Sequence, residues 1–433
     1  MSNLELSIMF LLELAVILLV GRLTGLAMRR LGQPQVVSEM IAGVILGPSL
    51  FGVLWPEAQQ WLFPMKSASM GILYAVSQMG LVLYMFCVGV EFRGDLLRKS
   101  AKSAVMVSGA GMLAPFVLGI ALAWMLYRET SLFKEGIGFG TAALFMGAAI
   151  CITAFPMLAR IIYERRLSGT KLGTMALAAG SIDDVAAWCV LALVLAISGK
   201  QAHPIVREIL GDDANVAIVA IGGGVIYAVV MWLIAPMVLA PFVKVTEKRK
   251  DLTPGHLTFV LMMVMVGACY TDVIGIYAVF GAFIFGACVP RGLFAQELQR
   301  KIEPLTTTLL LPLFFVYSGL NTKIGLVNTM WLWMVAGLVL AASCMGKGLA
   351  CYAAARFNGS DRREAAAVGA LMNSRGLMEL ILLNIAYDDG LITQTLFSIL
   401  VIMAIVTTLM ATPIFEWAYG KKRDELAAEA RAT

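Results

Sequence analysis

The most informative stretch of the sequence reads LGTMALAAGSIDDVAAWCVLALVLAISG, residues 172–199, with two adjacent aspartates, Asp183 and Asp184, inside an otherwise apolar run. A helix of this length rises about 40 Å, enough to cross a hydrocarbon layer about 30 Å thick. A charged side chain near the centre of a bilayer costs several kcal/mol, so it normally faces a partner or a water-filled cavity. The two aspartates are therefore the first candidate functional residues.

Similar apolar runs recur along the whole chain of 433 residues, of which 60% are apolar and only 14% are charged. The mean hydropathy is +0.85, whereas soluble domains carry about 25% charged residues. These values exclude a soluble enzyme and predict an all-α polytopic membrane protein. Breaks at charged and Gly- or Pro-rich positions predict about thirteen transmembrane helices, at residues 4–28, 35–53, 68–91, 102–127, 136–160, 172–199, 214–243, 255–270, 273–289, 304–320, 329–355, 363–387 and 392–419.

The polar residues give no sign of a cofactor, a catalytic metal or nucleic acid. The seven cysteines lie in apolar segments without a CxxC pair, and the two histidines, His203 and His256, lie in loops or at helix ends. The formal charge of +5 comes from basic residues in short loops, with no contiguous basic patch. We therefore expect no cofactor, no nucleic-acid partner and no enzymatic chemistry.

The basic residues are divided unevenly between alternate loops, with 24 Lys and Arg on one side of the membrane and 6 on the other. Because cytoplasmic loops hold the excess of positive charge, the N-terminus is predicted to lie outside and the C-terminus in the cytoplasm. The predicted location is the inner membrane of the cell. The charged residues inside the predicted helices are the default functional candidates, namely Arg22, Glu39, Asp183, Asp184, Lys347, Arg375 and Glu379.

Two predicted helices are interrupted internally. The fifth contains Thr153 and Pro156, and the twelfth contains Asn373 and Gly376. Proline removes a backbone donor, and a polar stretch with glycine unwinds a helix. The two interruptions lie seven helices apart, an odd offset that reverses direction across the membrane and predicts inverted repeats, helices 4–6 and 11–13, with two broken helices. Ordinary proline kinks in a helical bundle are the alternative.

Asp183 and Asp184 point about 100° apart on one helix, so one carboxylate can face a cavity while the other faces a neighbouring helix. Burial and mutual repulsion favour protonation of one of them, so a proton can compete there with a dehydrated alkali cation. That competition is the chemical basis of exchange. A buried ion pair that only fixes helix packing is the alternative.

Four other charges inside the predicted helices have both a functional and a structural interpretation. Lys347 can pair with a carboxylate and exchange a proton, or it can extend to the membrane interface. Arg375 and Glu379 lie four residues apart on one helix face, with Glu39 as a possible third member. This group supports the site, and an i,i+4 pair that stabilises the broken helix is an equal explanation.

Two hydroxyl side chains are further candidates for the site. Thr153 precedes the proline of the fifth helix, and Ser181 precedes the two aspartates. Hydroxyl oxygens are ligands for alkali cations, although Ser and Thr in membrane helices often bond to their own helix instead.

Six motifs in this order resemble the monovalent cation:proton antiporter superfamily, which includes Kef-type transporters, plant cation/H⁺ exchangers and bacterial Na⁺/H⁺ antiporters. They cover nearly the whole chain. The motifs are SEMIAGVILGP (38–48), ITAFPMLAR (152–160), SIDDV (181–185), IGIYAVFGA (274–282), LPLFF (311–315) and LMNSRG (371–376).

The resemblance implies a homodimer in which each copy has a scaffold and a mobile core that carries two crossed broken helices. The implied boundaries are scaffold 1–92 and 255–320, core 101–199 and 329–420, a linker helix at 213–244 and a short cytoplasmic tail at 421–433. Members of this superfamily are secondary transporters that exchange cations for protons by alternating access. The expected partners of this chain are therefore a monovalent cation, H⁺ and the lipid bilayer.

Relatives with an Asp-Asp pair bind the cation at the second aspartate, here Asp184, and pair the first, here Asp183, with a lysine, here Lys347. Plant exchangers often carry Asn-Asp instead, so the resemblance favours electrogenic Na⁺/H⁺ exchange, with K⁺ or Li⁺ as alternatives at Asp184. A K⁺/H⁺ antiporter or Kef-type K⁺ efflux system is the second interpretation. A gated cation channel or a Na⁺-coupled symporter is a more remote one.

Overall fold

The structure of the chain is a computed structural model that describes residues 3–31, 33, 35–64, 67–91, 94–165, 167, 170–197, 204–210 and 216–432. Within these ranges the secondary structure is helical apart from one isolated β-bridge, between Phe133 and Ile392. The predicted all-α fold is confirmed.

The helices of the described residues have the following bounds. They are α1 (Asn3–Arg30), α2 (Gln35–Leu46), α3 (Phe51–Leu54), α4 (Pro56–Leu62), α5 (Ala68–Glu91), α6 (Gly94–Leu126), α7 (Phe139–Cys151), α8 (Phe155–Glu164), α9 (Lys171–Ile197), α10 (Pro204–Leu210), α11 (Val216–Arg249), α12 (Pro254–Val273), α13 (Ala278–Ala287), α14 (Leu293–Leu305), α15 (Leu311–Leu320), α16 (Met330–Phe357), α17 (Arg362–Met372), α18 (Leu377–Asp388) and α19 (Gln394–Ala432). A π-helical turn, Thr306–Leu310, joins α14 to α15, and a 3₁₀ turn lies at Ile324–Leu326.

Many helical segments of the described residues are long and apolar enough to cross a membrane. Nine segments meet both conditions within the described ranges, namely Asn3–Arg30, Val37–Leu54, Ala68–Glu91, Lys102–Leu126, Ile218–Arg249, Pro254–Val273, Leu293–Leu326, Met330–Phe357 and Gln394–Gly420. Two shorter helices, α7 and α13, are also apolar. The polytopic membrane fold is confirmed, and the total of thirteen helices stays a prediction.

Three helices lie where the sequence predicts connections between transmembrane helices, namely α4, α10 and α14. The longest of them, α14, occupies Leu293–Leu305, where the sequence predicts a charged connection. Phe294, Leu298 and Ile302 recur every four residues and are at most 6% exposed. Charged residues between them lower the mean hydropathy, so α14 is an amphipathic helix that an apolar-run criterion misses.

The chain folds as two compact units. The first unit comprises Met1–Leu18, Gln60–Arg93 and Leu191–Tyr317, and the second comprises Leu19–Gln59, Gly94–Val190 and Ser318–Thr433. In the first unit α5 packs closely on α13. A Cβ added to Gly89 would lie only 2.9 Å from the backbone nitrogen of Ala287. In the second unit α6 also packs closely on α7. A Cβ added to Gly119 would lie 2.5 Å from the carbonyl oxygen of Met146. Small residues permit such approaches between membrane helices.

Two helical segments of the second unit are interrupted, and the interruptions contact each other. Residues 152–154 separate α7 from α8, and residues 373–376 separate α17 from α18. The backbone N–H of Ala154 donates to the carbonyl oxygen of Ser374 at 3.1 Å. The two crossed broken helices predicted from the sequence are confirmed.

The two interruptions have different local causes. Ile152 is extended, with φ −68° and ψ 136°, so α7 has already ended when the chain reaches Pro156. Pro156 is the second residue of α8, and proline is tolerated there because first-turn N–H groups have no helical partner. Gly376 precedes α18 with φ +152°, a conformation that favours glycine. The interruption between α7 and α8 is thus an extended segment rather than a proline kink.

Candidate functional site

The carboxylate of Asp183, in α9, accepts hydrogen bonds from three side chains on three other helical segments. Ser108 Oγ donates to Oδ1 at 2.6 Å, and Thr153 Oγ1 donates to Oδ2 at 2.7 Å. Lys347 Nζ forms an ion pair with Oδ2 at 2.9 Å. All four residues are at most 1% exposed. A buried carboxylate with three donors, one of them cationic, is well stabilised in its charged form.

Lys347 joins this carboxylate to the end of a broken helix. Its ammonium also donates to the carbonyl oxygen of Cys151, the last residue of α7. Carbonyl groups at a helix C-terminus lack helical partners and carry partial negative charge. The ammonium is therefore held between a carboxylate and a helix end, and α16 is tied to the interruption of the first broken helix.

Asp184 follows Asp183 directly but has a different environment. It is 0% exposed, and neither of its carboxylate oxygens accepts a hydrogen bond from any residue that the structure describes. A charged carboxylate without a donor is very costly to bury. Asp184 is therefore the acid of this pair for which a proton or a bound cation is needed.

The helix that carries Asp184 packs closely against the start of α8. Gly180, one turn earlier in α9, faces the first turn of α8, where an added Cβ would lie 2.5 Å from Leu158 and 3.5 Å from Phe155. The close approach of α9 to α8 is possible because residue 180 has no side chain. The glycine of the motif GSIDDV thus places the aspartates beside the crossing.

Arg375 lies in the other interruption and binds the end of α7. Its Nη1 donates to the carbonyl oxygens of Ala149, at 2.9 Å, and Ile152, at 3.3 Å, and its Nη2 donates to that of Ile150. Nη1 also lies 3.4 Å from Glu379 Oε2, and both side chains are fully buried. A guanidinium at a helix C-terminus is stabilised by the helix dipole. Arg375 therefore connects the two broken helices by charge as well as by hydrogen bonds.

The remaining predicted site residues have local contacts. Ser181 Oγ donates to the carbonyl oxygen of Leu177 in its own helix at 2.8 Å, the alternative noted from the sequence. Glu39 is 3% exposed and accepts a hydrogen bond from Gln35 at 3.0 Å within α2. Asn373 lies in the second interruption, and its Oδ1 accepts no hydrogen bond from the described residues. All three side chains are buried.

Sequence reasoning missed two buried residues of interest. Ser108 contacts Asp183 but lies in the small-residue stretch VSGAGM, where a serine gives no periodic signal. Glu13, in α1, is 0% exposed. It lies inside the first apolar run, so the criterion that selected the other intramembrane charges should have included it.

These features together define a class of protein. Crossed broken helices place helix ends, buried acids and a lysine in one unit of a polytopic helical membrane protein. Such an arrangement is typical of secondary transporters that bind small ions near the membrane midplane.

Comparison with known proteins identifies the family. The family described as "Sodium/hydrogen exchanger, transmembrane" matches residues 15–418. The match covers most of the chain, so the chain belongs to this family of cation/proton antiporters. The predicted membership of the antiporter superfamily is confirmed.

Individual relatives agree with this assignment. The Na⁺/H⁺ antiporter NhaS4 from a Synechocystis species is 40% identical over 409 residues, which are 94% of this chain and 96% of that protein. Cation/H⁺ antiporter 15 from Arabidopsis thaliana is 33% identical over 425 residues, and the chain, matched over 98% of its length, covers 50% of that longer protein. The solved structure of the sodium proton antiporter MjNhaP1 from Methanocaldococcus jannaschii matches with a TM-score of 0.66 and 16% identity, over 96% of this chain and 98% of that one. This last likeness confirms the fold.

Proposed function

We propose that this protein exchanges Na⁺ for protons across a membrane by alternating access, and that Asp184 is the group that binds either ion. The observation that carries the proposal is the contrast within the aspartate pair. Asp183 is bonded to three side-chain donors, whereas the buried oxygens of Asp184 have none among the described residues. A proton or a dehydrated cation on Asp184 would remove the cost of burying its charge. Because the two ions compete for the same oxygens, binding of one releases the other.

In this proposal the Asp183–Lys347 pair is a second proton-exchanging unit. If both Asp184 and this pair exchange protons, more than one proton moves for each cation, and the cycle carries net charge. Each net charge gains about 2.3 kcal/mol from a membrane potential of 100 mV. We therefore expect electrogenic exchange, with a rate that changes when the membrane potential is clamped.

The distribution of the site residues supports a mobile core. Ser108, Thr153, the aspartates, Lys347 and Arg375 all lie in the second unit. We propose that residues 101–199 and 329–420 move as the core, and that residues 1–92 and 255–320 form the scaffold of a homodimer. We further propose an inner-membrane location with the N-terminus outside and the C-terminus in the cytoplasm, as the distribution of basic residues predicts.

The test uses purified protein in proteoliposomes with an imposed pH gradient and a trapped pH-sensitive dye. Addition of Na⁺ is expected to dissipate the gradient with wild-type protein and to leave it intact with Asp184→Asn, which cannot carry a negative charge. Asp272→Asn, a change of an exposed acid at the end of α12, is the matched control and should behave as wild type.

Parallel additions of K⁺ and Li⁺ identify the transported cation. A response to K⁺ alone would correct the choice of ion and keep the site. Full activity of Asp184→Asn in folded protein would remove Asp184 from the mechanism. Single-channel currents from the wild-type protein would contradict exchange altogether.

A further inference from the structure

The hydroxyl group of Thr408, in α19, binds both backbone groups of Arg375. The N–H of Arg375 donates to Thr408 Oγ1 at 3.1 Å, and Thr408 Oγ1 donates to the carbonyl oxygen of Arg375 at 2.8 Å. Thr408 is 0% exposed. Arg375 lies in the interruption between α17 and α18, where regular helical hydrogen bonds are missing. One side chain from another helix therefore replaces the partners that the backbone of Arg375 lost when the helix broke.

The backbone position of Arg375 matters because its side chain binds the other broken helix. Its guanidinium reaches the carbonyl oxygens of Ala149, Ile150 and Ile152 at the end of α7. The preceding residue, Ser374, accepts the hydrogen bond from the first interruption. A displacement of the Arg375 backbone would move both connections, and with them the end of α7 that holds Lys347.

The contact is also one that can open without leaving the hydroxyl unpaired. Thr408 Oγ1 lies 2.7 Å from the carbonyl oxygen of Ala404 in its own helix, as well as 2.8 Å from that of Arg375. A hydroxyl has one hydrogen, so it donates to one of these oxygens at a time. If the interruption moves during transport, the hydrogen can turn to Ala404 instead.

The adjacent residue provides a matched control. Thr407 is equally buried, at 0% exposure, and its hydroxyl bonds only within α19 among the described residues, to Met403 at 2.9 Å and Ala404 at 3.1 Å. The two threonines thus share helix, burial and side-chain volume. They differ in whether the hydroxyl reaches the interruption.

We propose that Thr408 is a positioning residue that holds the backbone of Arg375 and thereby sets the affinity of the site for its cation. This inference rests on the proposed function, in which Asp184 binds the cation. Thr408 does not touch the transported ion and acts through the crossing of the broken helices.

The test compares Thr408→Val, Thr408→Ser and Thr407→Val in the proteoliposome assay over a range of Na⁺ concentrations. Thr408→Val is expected to raise the KM for Na⁺ roughly tenfold, because two buried backbone groups lose their partner. Thr408→Ser keeps the hydroxyl and should restore the wild-type KM. Thr407→Val should leave the KM unchanged even where it lowers the thermal stability of the protein.

Equal KM values for Thr408→Val and Thr407→Val would overturn the proposal, as would a raised KM in Thr408→Ser alone. If Thr408→Val does not fold, Thr408→Ala takes its place, since a water molecule can occupy the space of the missing side chain. Its KM must then still exceed that of Thr407→Ala.

Asp184→Asn is measured in the same series to separate the two proposals. Normal exchange in Asp184→Asn would refute the proposed site, whatever the threonine variants do. Loss of exchange in Asp184→Asn, together with a wild-type KM in Thr408→Val, would refute the positioning role alone.

Discussion

Removal of Lys347 is expected to be costly because its ion pair is completely buried. Lys347 Nζ lies 2.9 Å from Asp183 Oδ2, and both side chains are 0% exposed. Lys347→Met would leave a buried carboxylate with hydroxyl donors but no cation, at a cost of about 3–5 kcal/mol in the free energy of unfolding. Asp183→Asn would leave a buried ammonium without its ion-pair partner, at a similar cost. The double variant removes both charges and should be more stable than the sum of the two losses by about 3 kcal/mol.

A pair of nearly equal length at the surface is the control for this cycle. Lys301 Nζ lies 3.0 Å from Asp251 Oδ1, but these side chains are 28% and 60% exposed. The hydrogen bond from Lys301 lowers the pKa of Asp251, so this carboxylate is charged at neutral pH. Solvent screening should nevertheless leave no resolvable coupling between Lys301→Met and Asp251→Asn.

Both cycles are measured on purified protein in one detergent, as free energies of unfolding from denaturant titrations. The refuting result is additivity in the buried cycle, meaning that the double variant equals the sum of the single variants within about 0.5 kcal/mol. Such a result would show that Lys347 and Asp183 do not stabilise each other as a charged pair. Equal coupling in the two cycles would also contradict the argument, because burial would then make no difference.

Two further predictions concern the interruptions of the broken helices. Thr153→Val removes the hydroxyl that bonds to Asp183 at 2.7 Å and should lower the rate of exchange about tenfold. Thr153→Ser keeps the hydroxyl and should restore the rate. If serine does not restore it, the effect comes from side-chain volume instead. Gly376→Ala places a side chain at φ +152° and should lower the free energy of unfolding by about 1–3 kcal/mol. Gly337→Ala is the control, because nothing lies within 4 Å of a Cβ added at this position in α16. It should raise the free energy of unfolding by up to about 1 kcal/mol. Changes of the same sign at both glycines would contradict the explanation from backbone conformation.

Much of the fold is predictable from the sequence because apolar length and local breaks are local properties. The motif that contains Thr153 and the motif that contains Gly376 each carry a visible helix-breaking signal. The contact of Ser108 with Asp183, by contrast, joins residues 75 positions apart. No spacing rule links a serine in a small-residue stretch to an acid on another helix. The contact of Thr408 with Arg375 could not be predicted either, since nothing in the sequence distinguishes Thr408 from its neighbour Thr407.

The ion pair between Asp183 and Lys347 also has a consequence for biogenesis. The two residues are separated by 164 positions, which take a ribosome roughly 8–33 s to synthesise. During that interval α9 has entered the insertion machinery with two acids and without the lysine that one of them requires. An acid at the centre of an inserting helix costs about 2.5–3.5 kcal/mol. We therefore expect α9 to stay beside water at the translocon until α16 emerges, so that the ion pair forms late in assembly.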